Sequence, residues 1–196
     1  PLWTPQGLQF DGVDDYVSLG TVLRSMPTTE MTVGAIWKYT PAYEDGLIVP
    51  DEGDIFGSYN DMSRPFGLFI KITSGRKLNI GGSISRGYIY YTEWLPEDFN
   101  FTVYHSSVLT YIKGISSAFY IDGTYIKPLN VLPDIIIPTG KDIRFGYNLP
   151  DRVPCAFKGN IAFAYIYNRA LSPEEVLQNH EWSKVELAKR GVILAA

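Results

Sequence analysis

Hydrolysis of a sugar chain by a retaining mechanism needs two carboxylates about 5 Å apart, which on a strand means acidic residues two or four apart on one face. The densest acidic group is Asp51-Glu52-Gly53-Asp54, which follows Pro50 in a Gly-containing run. It is expected to lie in a long acidic loop from Thr40 to Asp54, where two carboxylates cannot be fixed rigidly. Nucleophilic catalysis needs a Ser or Cys beside a base. The chain offers His105, His180 and Cys155 with no G-x-S-x-G elbow. His105 is therefore expected as a strand histidine, His180 as a helix-face residue and Cys155 as a small core residue. No catalytic residue is predicted. Asp11, Asp14 and Asp15 flank an Asp-Gly turn and carry the hard oxygen donors that calcium prefers, with Asp11 or Asp15 as its candidate ligands. The competing expectation is that these aspartates cap turns through side-chain to backbone hydrogen bonds.

Sugar recognition needs aromatic platforms for the apolar face of a pyranose and polar groups for its hydroxyls. In the segment Tyr88-Ile89-Tyr90-Tyr91-Thr92-Glu93-Trp94 the two-residue period of a strand puts Tyr88, Tyr90 and Trp94 on one face. With Tyr43 and Tyr59 joining from loops, these five form the candidate ligand-binding set. Such a row also suits a sandwich core or a protein–protein patch.

These residues must be positioned by a frame, and composition bounds it. A chain of 196 residues with 14% aromatic and 19% charged residues suits one aromatic-rich β domain. The net charge of −4, with no block of Lys or Arg, gives no positive field for nucleic acid or an anionic membrane surface. A single cysteine excludes an internal disulfide. No apolar run approaches the ~20 residues that span a bilayer. Pro1 is not an initiator methionine, which predicts processing or a longer parent chain.

The chain reads mainly as strands. Leu8 to Leu19 has a hairpin-like Asp11-Gly12 signal, and Met31 to Tyr39 alternates with Trp37 inward and one wetter face. Phe66–Thr73 and Lys77–Ile84 read as a hairpin turning at Ser74-Gly75, and Phe99–Tyr111 as a long alternating segment. Asp122-Gly123 is a type I′ turn signal between two further strands, while Ile135–Ile137 reads as an edge strand. Near the end, Ile161 to Tyr167 alternates Ile161, Phe163, Tyr165 and Tyr167 against Ala162, Ala164 and Ile166, so both faces are apolar and the strand is central. Ser172-Pro173-Glu174-Glu175 then predicts a capped helix. The expected architecture is an all-β jelly-roll sandwich of two antiparallel sheets over residues 1–171, followed by a helix and apolar tail over residues 172–196. The helix shows only a partial apolar stripe, and Gly191 stops it before Val192-Ile193-Leu194. Finding no core of its own, this end is expected to dock on a neighbouring subunit or domain through Trp182, Val185, Val192, Ile193 and Leu194.

Five segments together carry a resemblance: Phe10-Asp11-Gly12-Val13-Asp14-Asp15-Tyr16-Val17, Trp37, Phe119-Tyr120-Ile121-Asp122-Gly123, Ile143-Arg144-Phe145-Gly146, and Phe157-Lys158-Gly159 with Ile166-Tyr167-Asn168-Arg169-Ala170-Leu171-Ser172-Pro173-Glu174-Glu175. Over nearly its whole length the chain resembles the laminin-G-like, or concanavalin A-like lectin/glucanase, superfamily. The resemblance implies a jelly roll whose first and last strands are adjacent. It spans sugar-binding modules, adhesion domains, some glycosidases and appended domains of bacterial surface and virion proteins. The Glu-x-Asp-x-Glu run of the glucanase branch is missing, and Ala162 and Phe163 stand where relatives often carry acidic residues for calcium. The expected function is a non-enzymatic module of a virion or cell surface, extracellular, acting in glycan attachment or in assembly with like subunits. The alternatives are a carbohydrate-active enzyme or its appended binding domain, and a calcium-dependent adhesion domain. Expected partners are a glycan or surface polysaccharide and protein subunits.

Overall fold

The computed structural model describes residues 1–20, 29–41, 43–44, 47–48, 51–60, 63–72, 78–83, 99–129, 143–146 and 156–195. The strands are β1 (Leu2–Thr4), β2 (Gly7–Asp11), β3 (Val17–Ser18), β4 (Glu30–Tyr39), β5 (Tyr43–Glu44), β6 (Leu47–Ile48) and β7 (Asp51–Asn60). They continue with β8 (Ser63–Ile72), β9 (Leu78–Ser83), β10 (His105–Ile112), β11 (Ser116–Ile121), β12 (Thr124–Leu129), β13 (Ile143–Phe145) and β14 (Lys158–Tyr167). One helix, α1 (Pro173–Ala188), follows.

Two antiparallel sheets carry the fold, in the orders β1-β2-β14-β4-β10-β11-β12 and β3-β13-β7-β8-β9, with β5-β6 as a small separate ribbon. The early strand β2 pairs directly with the last strand, Leu8 opposite Ile161 and Asp11 opposite Lys158. Between the sheets lie Phe10, Met31, Val33, Trp37, Tyr39, Leu109, Tyr111, Phe119 and Phe157 from one side, with Ile55 and Ile143 from the other. Trp37 is fully enclosed and its indole N–H donates to Ser107 Oγ at 3.0 Å, so its one polar atom is satisfied as the ring fills the core. Asp122 and Gly123 both take positive φ, 51° and 74°, which is the backbone of the tight turn joining β11 to β12.

β14 departs from simple alternation. Ile161 stands opposite Trp37, yet Phe163 is the partner of Ile36, so Ala162 is an extra residue, a β-bulge. Ile161 therefore shares the inner face with Ala164 and Ile166, whereas the alternating pattern groups it with Phe163, Tyr165 and Tyr167. Gly7 lies against this bulge. A Cβ there would meet the Ile161 carbonyl oxygen at 2.3 Å, so no side chain fits where β2 passes the bulge.

The outer face of the large sheet is covered by the chain's own end, giving a third layer. Ser172 caps α1 as its sequence predicts: Glu175 N–H donates to Ser172 Oγ at 3.3 Å and Ser172 N–H to Glu175 Oε2 at 2.9 Å. Val176, His180, Ser183 and Leu187 form the helix stripe facing the sheet. His180 Nδ1 pairs with Ser106 Oγ at 2.9 Å, and Val176 packs with Val108, Tyr120 and Leu171. The face of β4 expected to be wetter is therefore mostly covered, Thr32 and Ile36 being as enclosed as its inward residues and Lys38 half-buried at its end.

Several expectations are corrected. The terminal segment does have a core of its own: Val192 and Leu194 pack with Ile36, Tyr104, Ala162 and Leu187. Tyr104 N–H donates to the Ile193 carbonyl at 2.8 Å and Ala195 N–H to the Tyr104 carbonyl at 2.8 Å, so the segment is strapped down by backbone bonds. Val192 and Leu194 are therefore closed to a partner, while Trp182, Val185 and Ile193 remain exposed. The Asp11-Gly12 turn is no hairpin, because β2 and β3 lie in different sheets. The acidic run Asp51–Asp54 begins strand β7, paired with β8, and is not a loop. Residues 99–104 precede β10 and are not part of it. The row Tyr88 to Trp94, the Ile135–Ile137 strand and Cys155 lie outside the described residues.

Leu194→Ala should lower the unfolding free energy by about 2–4 kcal/mol in urea titration, whereas Ile193→Ser should change it by less than about 0.5 kcal/mol. Burial holds His180 below its ordinary value of 6.5. The neutral ring thus contributes stability that is present above pH 6.5 and is lost as pH falls through the lower folded value. Urea midpoints should drop on acidification in that window, and His180→Asn, which keeps a polar group toward Ser106, should remove that part of the dependence.

Candidate functional site

The bulge turns Phe163, Tyr165 and Tyr167 outward, toward the flank of α1, and between strand and helix lies a groove of about 480 Å³. Its strand wall is these three rings, its helix wall Gln178, Asn179, Trp182 and Ser183, and its end Arg169, Leu171 and Glu175. Ring centroids of Phe163 and Tyr165 are 5.9 Å apart, those of Tyr165 and Tyr167 5.4 Å, and those of Phe163 and Trp182 6.5 Å. Phe163 is 42% exposed, Tyr167 36% and Trp182 57%. Large rings held in a row and left open to water suit the apolar face of a ring-shaped ligand.

Local sequence explains each position. Tyr165 lies opposite Gly34 of β4, where a Cβ would meet the tyrosine ring at 2.2 Å, so the glycine makes room for the groove floor. Burial there pushes the Tyr165 phenol well above its ordinary range. The segment after β14 is pinned by the Thr32 hydroxyl, which donates to the Arg169 carbonyl at 2.9 Å and accepts from Leu171 N–H at 2.9 Å. Arg169 then reaches Glu175 with both terminal nitrogens, at 2.7 and 2.8 Å. That pairing, with the Ser172 N–H, holds the Glu175 carboxyl down at about 2. Asn179 Nδ2 approaches Tyr167 Oη at 3.4 Å on the rim.

Ser106 and His180 form a nucleophile–base pair in type, but both are buried beneath the helix, closed to a substrate. His105 is the strand histidine expected, buried at the start of β10 with Nδ1 2.8 Å from Asp122 Oδ2 and Nε2 3.0 Å from the Asn100 carbonyl oxygen. Asp122 Oδ1 also accepts from Ser106 N–H at 2.8 Å, so this cluster ties the β11–β12 turn to the sheet. The donor atoms of Asp11, Asp14 and Asp15 lie within 4.8 Å of one another, a set of hard oxygens that suits calcium in type. Asp11 Oδ1 accepts from Val13 N–H at 2.8 Å and Asp15 Oδ2 from Asp11 N–H at 3.0 Å. Across the ladder from Asp11 stands Lys158, a cation and not an oxygen donor.

Of the expected ligand-binding set, Tyr88, Tyr90 and Trp94 lie outside the described residues, and Tyr43 and Tyr59 are placed in β5 and β7 by their backbone only. Trp182, expected in assembly, also lines the groove. Phe163, Tyr167, Gln178 and Asn179 carry no sequence expectation of a site. The alternation Phe163, Tyr165, Tyr167 is visible in the sequence, and it reads as core because nothing there marks the helix as covering only part of that face.

No curated protein matches the chain. Among solved structures, the native heptameric SAP-like pentraxin of Limulus polyphemus superposes with a TM-score of 0.63 at 15% identity, over 90% of this chain and 82% of the pentraxin. A mutant of Trypanosoma rangeli sialidase displaying trans-sialidase activity gives 0.65 at 15% identity, over 95% of this chain and only 29% of the sialidase. Domain 4 of AbnA, an extracellular GH43 arabinanase of Geobacillus stearothermophilus, in complex with arabinotriose gives 0.56 at 16% identity, over 87% of this chain and 74% of that one. These likenesses establish the sandwich. The family model described as concanavalin A-like lectin/glucanases superfamily matches residues 11–177, which takes in the early Asp-Gly turn, the strands from β3 to β14 and the cap of α1. The chain belongs to the concanavalin A-like lectin/glucanases superfamily.

Proposed function

We propose that this chain is a non-enzymatic carbohydrate-binding module of a cell or virion surface, holding its glycan in the groove between β14 and α1. The observation that carries the reading is the row of exposed rings, Phe163, Tyr167 and Trp182, with the carboxamides of Gln178 and Asn179 on the rim. Stacked rings supply apolar contact and the amides supply paired donors and acceptors for hydroxyls. The likeness to an arabinanase domain in complex with arabinotriose supports a sugar-binding role. The aromatic set Tyr88, Tyr90, Trp94, Tyr43 and Tyr59 stands as a second platform for the same kind of ligand. The non-enzymatic reading is supported by the burial of the Ser106–His180 pair. Release of reducing ends from polysaccharides, abolished by Glu52→Gln, would establish the enzyme reading instead.

A second reading, assembly with like subunits, is favoured by Leu177, Trp182, Val185 and Ile193, large apolar side chains of α1 and the strap that are exposed. A glycan array with the intact chain separates the two. Trp182→Ala should abolish array signal, whereas Val185→Glu should leave it unchanged and shift only the mass seen by light scattering. Array silence with a monodisperse multimer that Val185→Glu breaks up would favour assembly. As for an ion at Asp11 and Asp15, the carboxylates already serve backbone N–H groups, so a chelator should leave the melting temperature unchanged. A fall restored by calcium would assign a cation to that turn.

A further inference from the structure

We propose that the groove between β14 and α1 selects neutral oligosaccharide chains and discriminates against sugars bearing a carboxylate at the contacted unit. This rests on the glycan-binding reading of the same groove. The charged residues among those that line it are Arg169 and Glu175, and each is taken by the other through two short hydrogen bonds of 2.7 and 2.8 Å. The pair carries no net charge and its end-on fork is filled, so a ligand carboxylate meets a cation already neutralised by Glu175. Capture of an acidic sugar by Arg169 would pull it away from Glu175, whose Oε2 also accepts the Ser172 N–H at 2.9 Å and closes the helix cap. The acidic ligand would thus bind at the expense of the start of α1, the element that forms one wall of the groove. A ligand without charge makes no such demand.

What remains for recognition among the described residues is neutral: the rings of Phe163, Tyr167 and Trp182, the Tyr167 hydroxyl and the carboxamides of Gln178 and Asn179. Amides and a phenol both donate and accept, which suits hydroxyls that do the same. The row also sets the form of the ligand. Phe163 and Tyr167 are four residues apart on one strand, their centroids 5.9 and 5.4 Å from the Tyr165 ring between them, which spreads the row over more than one sugar ring. A chain of sugars touches both rings, and a single sugar does not.

The test is calorimetric titration of the intact chain with linear neutral oligosaccharides (arabino-, xylo-, cello- and manno-) and with uronate-containing or sialylated counterparts, at low and high NaCl. At least one neutral chain should bind, its Kd changing less than about twofold with salt because no ion pair forms. The acidic counterpart should bind at least about tenfold more weakly, and Trp182→Ala and Phe163→Ala should each weaken the neutral ligand by about tenfold or more. Both rings are exposed, so neither variant should unfold, which thermal melting checks. Preference for the acidic sugar, or affinity that collapses with salt, overturns the neutral-chain inference and leaves glycan binding standing. Binding that survives both ring variants overturns it too, by placing the sugar elsewhere. Failure of every sugar to bind overturns both.

Discussion

One extra residue in the last strand governs the outer half of this protein. The bulge at Ala162 lets two successive side chains, Ala162 and Phe163, leave the same face of β14. Ala162 seats the strap of Val192 and Leu194, and Phe163 opens the aromatic row beside Trp182. Without that residue, β14 would keep a strict period of two. Ile161 could not fill the core if Phe163, Tyr165 and Tyr167 faced the helix. Gly7 in β2 and Gly34 in β4 are the complements of this geometry, one leaving room for the bulge and the other for the Tyr165 ring.

The helix is held by a mixed seam. Its inward stripe alternates apolar and polar residues, Val176, His180, Ser183 and Leu187, and the sheet answers in kind with Val108, Tyr120 and the Ser106 hydroxyl. A buried polar contact costs little once it is paired, and it fixes where along the sheet the helix sits. The polar seam and the cap built from Arg169, Ser172 and Glu175 set the distance between α1 and β14, and that distance is the groove.

Much of the frame is legible in the sequence because it is written in local signals. The Asp122-Gly123 turn, the Ser172–Glu175 capping box, the stop at Gly191 and the inward Trp37 each follow from one residue type in one place. The adjacency of β2 and β14 follows from the resemblance carried by Phe10 to Val17 and Ile166 to Glu175. The bulge has no such signal, since Ile161-Ala162-Phe163 reads as well in an unbroken strand, and without it the alternation assigns Phe163 and Tyr167 to the core. The terminal strap is hidden for a related reason: two apolar residues at alternate positions, Val192 and Leu194, look unpartnered until a third layer exists to receive them. The helix stripe concealed that layer by being half polar.

The outward rings of β14 and α1 are proposed as the principal recognition surface. Isotope-edited NMR of the full chain during titration with a neutral oligosaccharide tests this directly. The ring signals of Phe163, Tyr167 and Trp182 and the side-chain amides of Gln178 and Asn179 should move together, at the same ligand concentration. Shifts confined to Tyr88, Tyr90 and Trp94, with the Trp182 indole unmoved, would contradict it.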